Sequence, residues 1–198
     1  MVKQNRNHMF HALHKLLSAI RPITQEEWLT FTSCLTEKNF PAKTVCLSAG
    51  QVCRGLYFIE TGAVRSYALK NGQEICNHFY FENEFASDFE SLTLQQPSKH
   101  TLETLEETRI VYGDREKMLA LYKRAPVFES IGRAIVEQMM IRQNAYAGLF
   151  TLYSPTERYQ FVVEHHPELV RRVPLQYLAT YLGVARETLS RIRARISD

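Results

Sequence analysis

The residues with the strongest chemical character lie near the C-terminal end. Residues 173–196 read VPLQYLATYLGVARETLSRIRARI. Leu178, Ala179 and Leu182 recur at helical spacing and make one apolar face. Gly183 follows, where a helix end favours a residue that tolerates positive φ. A second helical pattern begins near Arg186, with Leu189 and Ile192 three apart on its inner face. Its outward positions hold Arg186, Glu187, Thr188, Ser190, Arg191, Arg193 and Arg195. A short helix, a glycine turn and a helix with an arginine-rich face form the layout of a helix-turn-helix. From Arg171 onward six arginines stand against Glu187 and Asp198, a net charge of +4. The rest of the chain holds 18 basic and 19 acidic residues, a net charge of −1. The positive surplus is therefore confined to this segment, as a phosphate-binding surface requires.

Other groups capable of chemistry are scattered. Cys34, Cys46, Cys53 and Cys76 form no CxxC and match no zinc or iron–sulfur spacing, so they read as reduced thiols. His8, His11 and His14 fall three apart on a helical pattern, but no carboxylate or cysteine accompanies them, and no metal site is expected. Glu84, Asp88 and Glu90 cluster around a tight turn at Ala86-Ser87. A polar loop containing Pro97 follows, then a strand from about Thr101. This loop reads either as the mouth of a pocket or as an ordinary solvated loop.

The elements that position these groups change in texture along the chain. At 198 residues, 45% hydrophobic and 23% charged, the chain has the composition of an ordinary globular protein of one or two domains. It has no apolar run of membrane-spanning length and no signal-peptide pattern, so a cytoplasmic protein is expected. Residues 8–20 form a helical pattern with Phe10, Leu13, Leu17 and Ile20 on one face. Thr24 and Glu27 make a capping box that opens a helix through about Leu35, with Trp28, Phe31 and Leu35 inward. From Phe40 to Tyr112, short runs rich in Val, Ile, Phe and Tyr alternate with turn signals, and Asn71-Gly72 is the clearest hairpin. This pattern predicts a small β-barrel or roll.

Asp114 caps a further short helix, which Ala125-Pro126 breaks. A helical stretch then runs to about Leu152, with Phe128, Ile131, Ile135, Met139, Arg142, Tyr146 and Leu149 in a narrow stripe. The stripe reads as a dimer seam, with Met139, Met140 and Ile141 broadening it on the barrel side; a buried helix of one globule is the alternative. Ser154 at N-cap, Pro155 at N1 and Glu157 at N3 start the next helix, mark a boundary and offer a hinge. Tyr159, Phe161, Val162 and Val163 are expected to supply its core, and Pro167 to end it.

This order of elements resembles the family of the cyclic-AMP receptor protein and FNR, the Crp/Fnr bacterial transcription regulators, over nearly the whole chain. The most specific residues are Gly183-Val-Ala-Arg186-Glu187-Thr188-Leu-Ser-Arg191-Ile192, similar to the family pattern G-x-S-R-E-T-x-x-R-x. The stretches LYFIETGAVRSY and FENEFASDFESL are similar to the family's roll, especially to versions common among Bacteroidetes regulators. The resemblance implies an α+β fold. Residues 1–36 would be N-terminal helices. Residues 37–113 would be a cyclic-nucleotide-binding-like double-stranded β-helix of jelly-roll or cupin-like form. Residues 114–153 would carry the dimerisation helix, and 154–198 a helix-turn-helix domain with a reduced or absent wing.

By the same resemblance, Arg186, Glu187 and Arg191 would read bases, and Thr188 and Ser190 would bond phosphates. Arginine presents two donors to guanine N7 and O6, and glutamate accepts from cytosine N4. Ala185 stands where the family has serine, which removes a side-chain N-cap. The cyclic-nucleotide members carry Gly-Glu and Arg-Ser or Arg-Thr in the pocket. The matching positions here are Ser87-Asp88 and His100-Thr101, with Lys99 a substitute point charge. Histidine does not reproduce a permanently charged, bidentate arginine.

The pocket candidates are therefore Ser87, Asp88, His100 and Thr101, with Gln143 and Asn144 of the long helix to close it. Cyclic AMP is not the expected effector, and neither an iron–sulfur cluster nor haem is expected. The expected function is a homodimeric, sequence-specific regulator that binds double-stranded DNA at a near-palindromic site. RNA polymerase is a further partner, and no membrane is involved. An effector in the roll, if there is one, would act by re-angling the terminal unit about Ser154. A cyclic-nucleotide-responsive regulator, a cupin-like metal enzyme using His78 and His100, and a scaffold protein are the alternatives, the enzyme the least favoured because each strand supplies a single histidine.

Overall fold

The computed structural model describes residues 10–197. His8 of the histidine series lies outside them. The described part divides into two compact units. One comprises the described residues up to Arg65 together with 80–137, and the other comprises residues 66–79 and 138–197.

In the first unit, α1 (His11–Ile20) and α2 (Gln25–Thr32) precede the strands. Phe10, Leu13 and Leu17 of the expected face are buried, and His14 packs edge-on against Trp28, 4.5 Å between centroids, as a core-rim aromatic group. The Thr24 capping box forms as expected. The α2 helix stops at Thr32 rather than Leu35, because Leu35 already opens β1 (Leu35–Phe40). That strand pairs along its whole length with β8 (Thr108–Asp114), from Leu35↔Gly113 to Phe40↔Thr108. Its ladder outweighs the local helical pattern.

The first sheet has the order β1-β8-β3-β6, with β3 at Gly55–Thr61 and β6 at Phe85–Ala86. A second sheet has the order β2-β7-β4-β5, formed by Val45–Leu47, Thr101–Thr104, Val64–Lys70 and Gln73–Tyr80. Alternation along the strands makes two cores. Tyr57, Ile59, Leu102 and Ile110 point into the roll with Leu47, Cys53 and Val64. Phe58 and Val111 point outward and pack with Leu13, Leu17, Trp28, Phe31, Phe128 and Ile131. The loop after β6 is not merely polar coil: it contains a helix, α3 (Phe89–Leu94), capped by Asp88. The α4 helix (Arg115–Tyr122) is capped by Asp114, as expected.

The α5 helix (Pro126–Leu152) spans 27 residues and ends where expected. Its expected stripe is corrected, however. Phe128, Ile131 and Leu149 are buried within the chain, and Tyr146 stacks on Tyr181 at 4.7 Å. The exposed apolar residues are instead Val136, Met140 and Ile141, with Phe150 and Leu152 further along. Met140 and Ile141 are 61% and 69% exposed and so do not broaden a packed side of this helix.

In the second unit, β4 and β5 meet at Asn71-Gly72, with φ of 54° and 78°, the hairpin turn the sequence announces. The α6 helix (Pro155–His165) begins with the complete Ser154–Glu157 capping box. Tyr159 and Val162 are buried, but Val163 is exposed and does not contribute to the core. Pro167 starts the next helix, α7 (Pro167–Arg172), one residue after α6 closes. Then come α8 (Leu175–Tyr181) and α9 (Arg186–Ser197). No helix among the described residues is long and apolar enough to cross a membrane.

Candidate functional site

Two groups of residues carry the chemistry, one in each unit. In the roll, Asp88 anchors a buried polar cluster. One carboxylate oxygen accepts the backbone N–H of Ser91 at 3.0 Å, capping α3. The other accepts from Ser98 Oγ at 2.6 Å and faces His100 Nδ1 at 3.2 Å. Burial alone would raise the Asp88 pKa, but the hydrogen bonds from Ser98, Ser91 and His100 outweigh it and hold the carboxyl below its ordinary value. Ser98 Oγ also accepts the His100 backbone N–H, so the cluster fixes the loop that leads into β7.

The other pocket candidates are also engaged. Ser87 Oγ donates to the Gly55 carbonyl at 3.2 Å and lies 3.3 Å from Cys53 Sγ. Thr101 Oγ1 accepts from the Ala49 N–H. Lys99 forms an exposed 2.6 Å ion pair with Glu90. The structure thus gathers Ser87, Asp88 and His100 and engages each of them in hydrogen bonds within the protein. Gln143 and Asn144 are exposed on the part of α5 that belongs to the second unit.

One charged pair in the roll escaped the sequence reading. Arg65, 2% exposed, meets Glu103 at 3.0 Å and 3.3 Å. The available signal was a lone arginine within the apolar run GAVRSYAL. His78, in the second unit, has its pKa pushed down to about 4 by burial and then by the charges of Arg142 and His166. Among the described residues no group of three His, Cys, Asp or Glu is arranged to hold a metal ion.

The second group is built by α8 and α9. Leu178, Ala179 and Leu182 are buried on one side of the turn, and Leu189 and Ile192 on the other. Gly183 has φ +70°, the conformation expected of it. A Cβ there would stand 3.0 Å from Phe150 and 3.3 Å from Arg158. Arg158 spans the junction at Ser154: Nη1 donates to the Leu182 carbonyl at 2.7 Å and Nε to the Tyr153 carbonyl at 3.1 Å. Its guanidinium also lies over the Phe150 ring.

On the far side of α8, Thr180 Oγ1 accepts the Cys76 N–H, and Tyr181 packs against Phe79 and Tyr146. Burial of Leu189 and Ile192 turns the opposite side of α9 to solvent. Arg186, Glu187, Ser190, Arg191 and Arg195 are exposed, and Thr188 is half-buried, accepting from Arg191 at 3.4 Å. Ala185 supplies no side-chain cap; its carbonyl accepts the Leu189 N–H.

Residues 37–125 match the family model of the cyclic nucleotide-binding domain. No curated protein matches the chain. Among solved structures, the catabolite activator protein of Thermus thermophilus is 20% identical with a TM-score of 0.57, over 92% of this chain and 86% of that one. FixK2 from Bradyrhizobium japonicum is 20% identical with a TM-score of 0.65, over 82% and 84%. CLP of Xanthomonas campestris, described as a c-di-GMP-responsive global regulator, is 17% identical with a TM-score of 0.68, over 88% and 92%. The fold therefore combines a cyclic-nucleotide-binding-type β-roll with a helical C-terminal region. Within that class, its architecture is similar to that of a protein described as a transcriptional regulator of the Crp/Fnr family, from Eubacterium rectale, 16% identical with a TM-score of 0.66, over 88% of this chain and 84% of that one.

Proposed function

We propose that this chain is a sequence-specific DNA-binding transcription regulator. It acts in the cytoplasm as a homodimer on a near-palindromic site, with RNA polymerase a further partner. The observation that carries the reading is the α8–α9 pair. Two short helices around a left-handed glycine pack their apolar faces together and leave Arg186, Glu187 and Arg191 exposed on one helix. Such a helix enters a major groove with these side chains against base edges, while Thr188 and Ser190 meet phosphates. In this reading the roll serves as an effector-type domain, the long helix α5 as the dimerisation element and the region from Ser154 onward as the DNA-binding unit. Regulators among the structural neighbours support the reading, and no catalytic chemistry is assigned to the chain.

The effector is not cyclic AMP in this reading. Asp88 stands where a nucleotide-binding member holds a ribose hydroxyl, yet both of its oxygens are taken by Ser91, Ser98 and His100. His100 is held by the same carboxylate. A nucleotide would have to break these bonds before it gained any. Cyclic AMP at millimolar concentration is expected to leave the melting temperature unchanged, and a clear rise would overturn this part.

Genomic binding-site mapping in the native host tests the whole. The expected result is an inverted repeat with half-sites one helical turn apart. Unchanged binding to those sites by the Arg186→Ala, Arg191→Ala double variant would refute base reading by α9.

A further inference from the structure

A second cavity lies outside the roll, on the outer face of the first sheet. It has a volume of about 340 Å³ and is walled by β3, β8, α3, α4 and the first turns of α5, all within the first unit. That volume is in the range of small-molecule sites. Its walls are overwhelmingly apolar, with Phe85, Phe89, Met118, Phe128, Ile131 and Ile135 among the lining residues. Among the lining side chains only Thr93, Arg115 and Tyr122 carry polar atoms. Of its apolar lining residues, Leu119 and Val136 are exposed, at 40% and 42%.

The α4 helix sets the polarity of this space. Arg115, Met118, Leu119 and Tyr122 follow one another at three, four and seven residues and so share one face. The rise of a helix puts Arg115 and Tyr122 about 10 Å apart along its axis, a cation at one end and a phenol at the other. Gly132 of α5 serves the far end: a Cβ there would stand 2.6 Å from the Tyr122 hydroxyl. A glycine inside a helix is otherwise unfavourable, and here it admits the tyrosine ring to the cavity wall.

Arg115 is the one cationic side chain on the lining. Its Nη1 donates to Glu116 at 2.8 Å, but Glu116 is 75% exposed, and a pair of that kind adds little. The guanidinium can exchange this partner for a carboxylate, to which its planar fork is matched.

We propose that this cavity binds an elongated apolar monocarboxylate, a medium-chain fatty acid or an aryl-alkanoic acid, with its carboxylate on Arg115 and its apolar body along Met118 towards Phe128 and Ile135. The ligand site is separate from the roll pocket and does not depend on the DNA-binding reading, and its test contains no DNA.

The test is a fluorescence titration of the full-length chain with 1-anilinonaphthalene-8-sulfonate, followed by displacement with dodecanoate and, separately, dodecanol, with oligomeric state measured by sedimentation on the same samples. Dodecanoate is expected to displace the dye at micromolar concentration. Arg115→Gln should weaken dodecanoate at least tenfold while changing dodecanol less than threefold, and Arg115→Lys should restore part of the loss. Leu119→Trp, at an exposed lining position, should abolish both while the circular-dichroism melt stays near that of the unsubstituted protein. Three results would overturn the proposal: no displacement below millimolar dodecanoate, equal displacement in all variants, or displacement only where the chain is monomeric, which would assign the cavity to a second copy. Should Leu119→Trp fail to fold, the contrast between dodecanoate and dodecanol in Arg115→Gln decides alone.

Discussion

At the scale of single residues, the same side-chain type serves opposite ends. Arg65 is buried against Glu103, and Arg158 ties carbonyls across the Ser154 junction, whereas Arg186 and Arg191 face solvent. Only the latter pair has its donors turned outward on a recognition-type helix. Replacing either by alanine is expected to cost about 1–3 kcal/mol of binding to the mapped site and to relax specificity at one base position. Competition binding against single-base variants of the site would measure this.

Asp88 makes a different prediction. Its folded-state pKa lies below its unfolded value, so it contributes stability that is present above about pH 4 and is lost as pH falls through the folded pKa. Asp88→Asn is therefore expected to cost about 1 kcal/mol at pH 7, through the bonds from Ser98 and His100 to the ionised carboxylate; the amide oxygen can still cap α3. The gap from the unsubstituted protein should narrow below pH 4, as followed by urea melts at both pH values.

At the scale of elements, the turn between α8 and α9 is the constrained point. The φ of +70° at Gly183 disfavours any side chain, and Phe150 and Arg158 occupy the space a Cβ would need. Gly183→Ala is expected to destabilise the chain by about 1–2 kcal/mol, read as a lower melting temperature. Its DNA affinity should fall more than that of a surface control such as Gln160→Ala. Elements with local causes were legible from the sequence. The capping boxes at Thr24 and Ser154, the Asn71-Gly72 turn and the cap at Asp114 each rest on interactions within four residues. The β1 strand and the α3 helix were not legible. The first depends on a partner strand some 70 residues away, and the second on a cap residue that also fits a turn.

At the scale of the whole molecule, α5 matters most, because it carries apolar residues that its own chain leaves uncovered. Met140 and Ile141 are adjacent in sequence and 61% and 69% exposed. Exposed apolar groups of this kind mark association surfaces, and here the proposed occupant is the same helix of a second copy. Met140→Glu with Ile141→Glu is expected to shift the protein from dimer to monomer in sedimentation velocity. It should weaken binding to a two-half-site DNA far more than to a single half-site. A dimer that persists in this variant would move the seam elsewhere.

The sequence by itself determined the roll, the long helix, the glycine turn and the arginine-bearing face, because periodicity, capping and turn chemistry are local. The choice among equally apolar positions belonged to tertiary structure. It turned the Phe128, Ile131 and Leu149 stripe inward and left Met140 and Ile141 outward, since burial depends on which neighbours arrive. It also brought Asp88 and His100 within hydrogen-bond reach of each other and opened a cavity beside Arg115. Side chains far apart in the chain acquire a shared function only when packing brings them within hydrogen-bond or van der Waals reach.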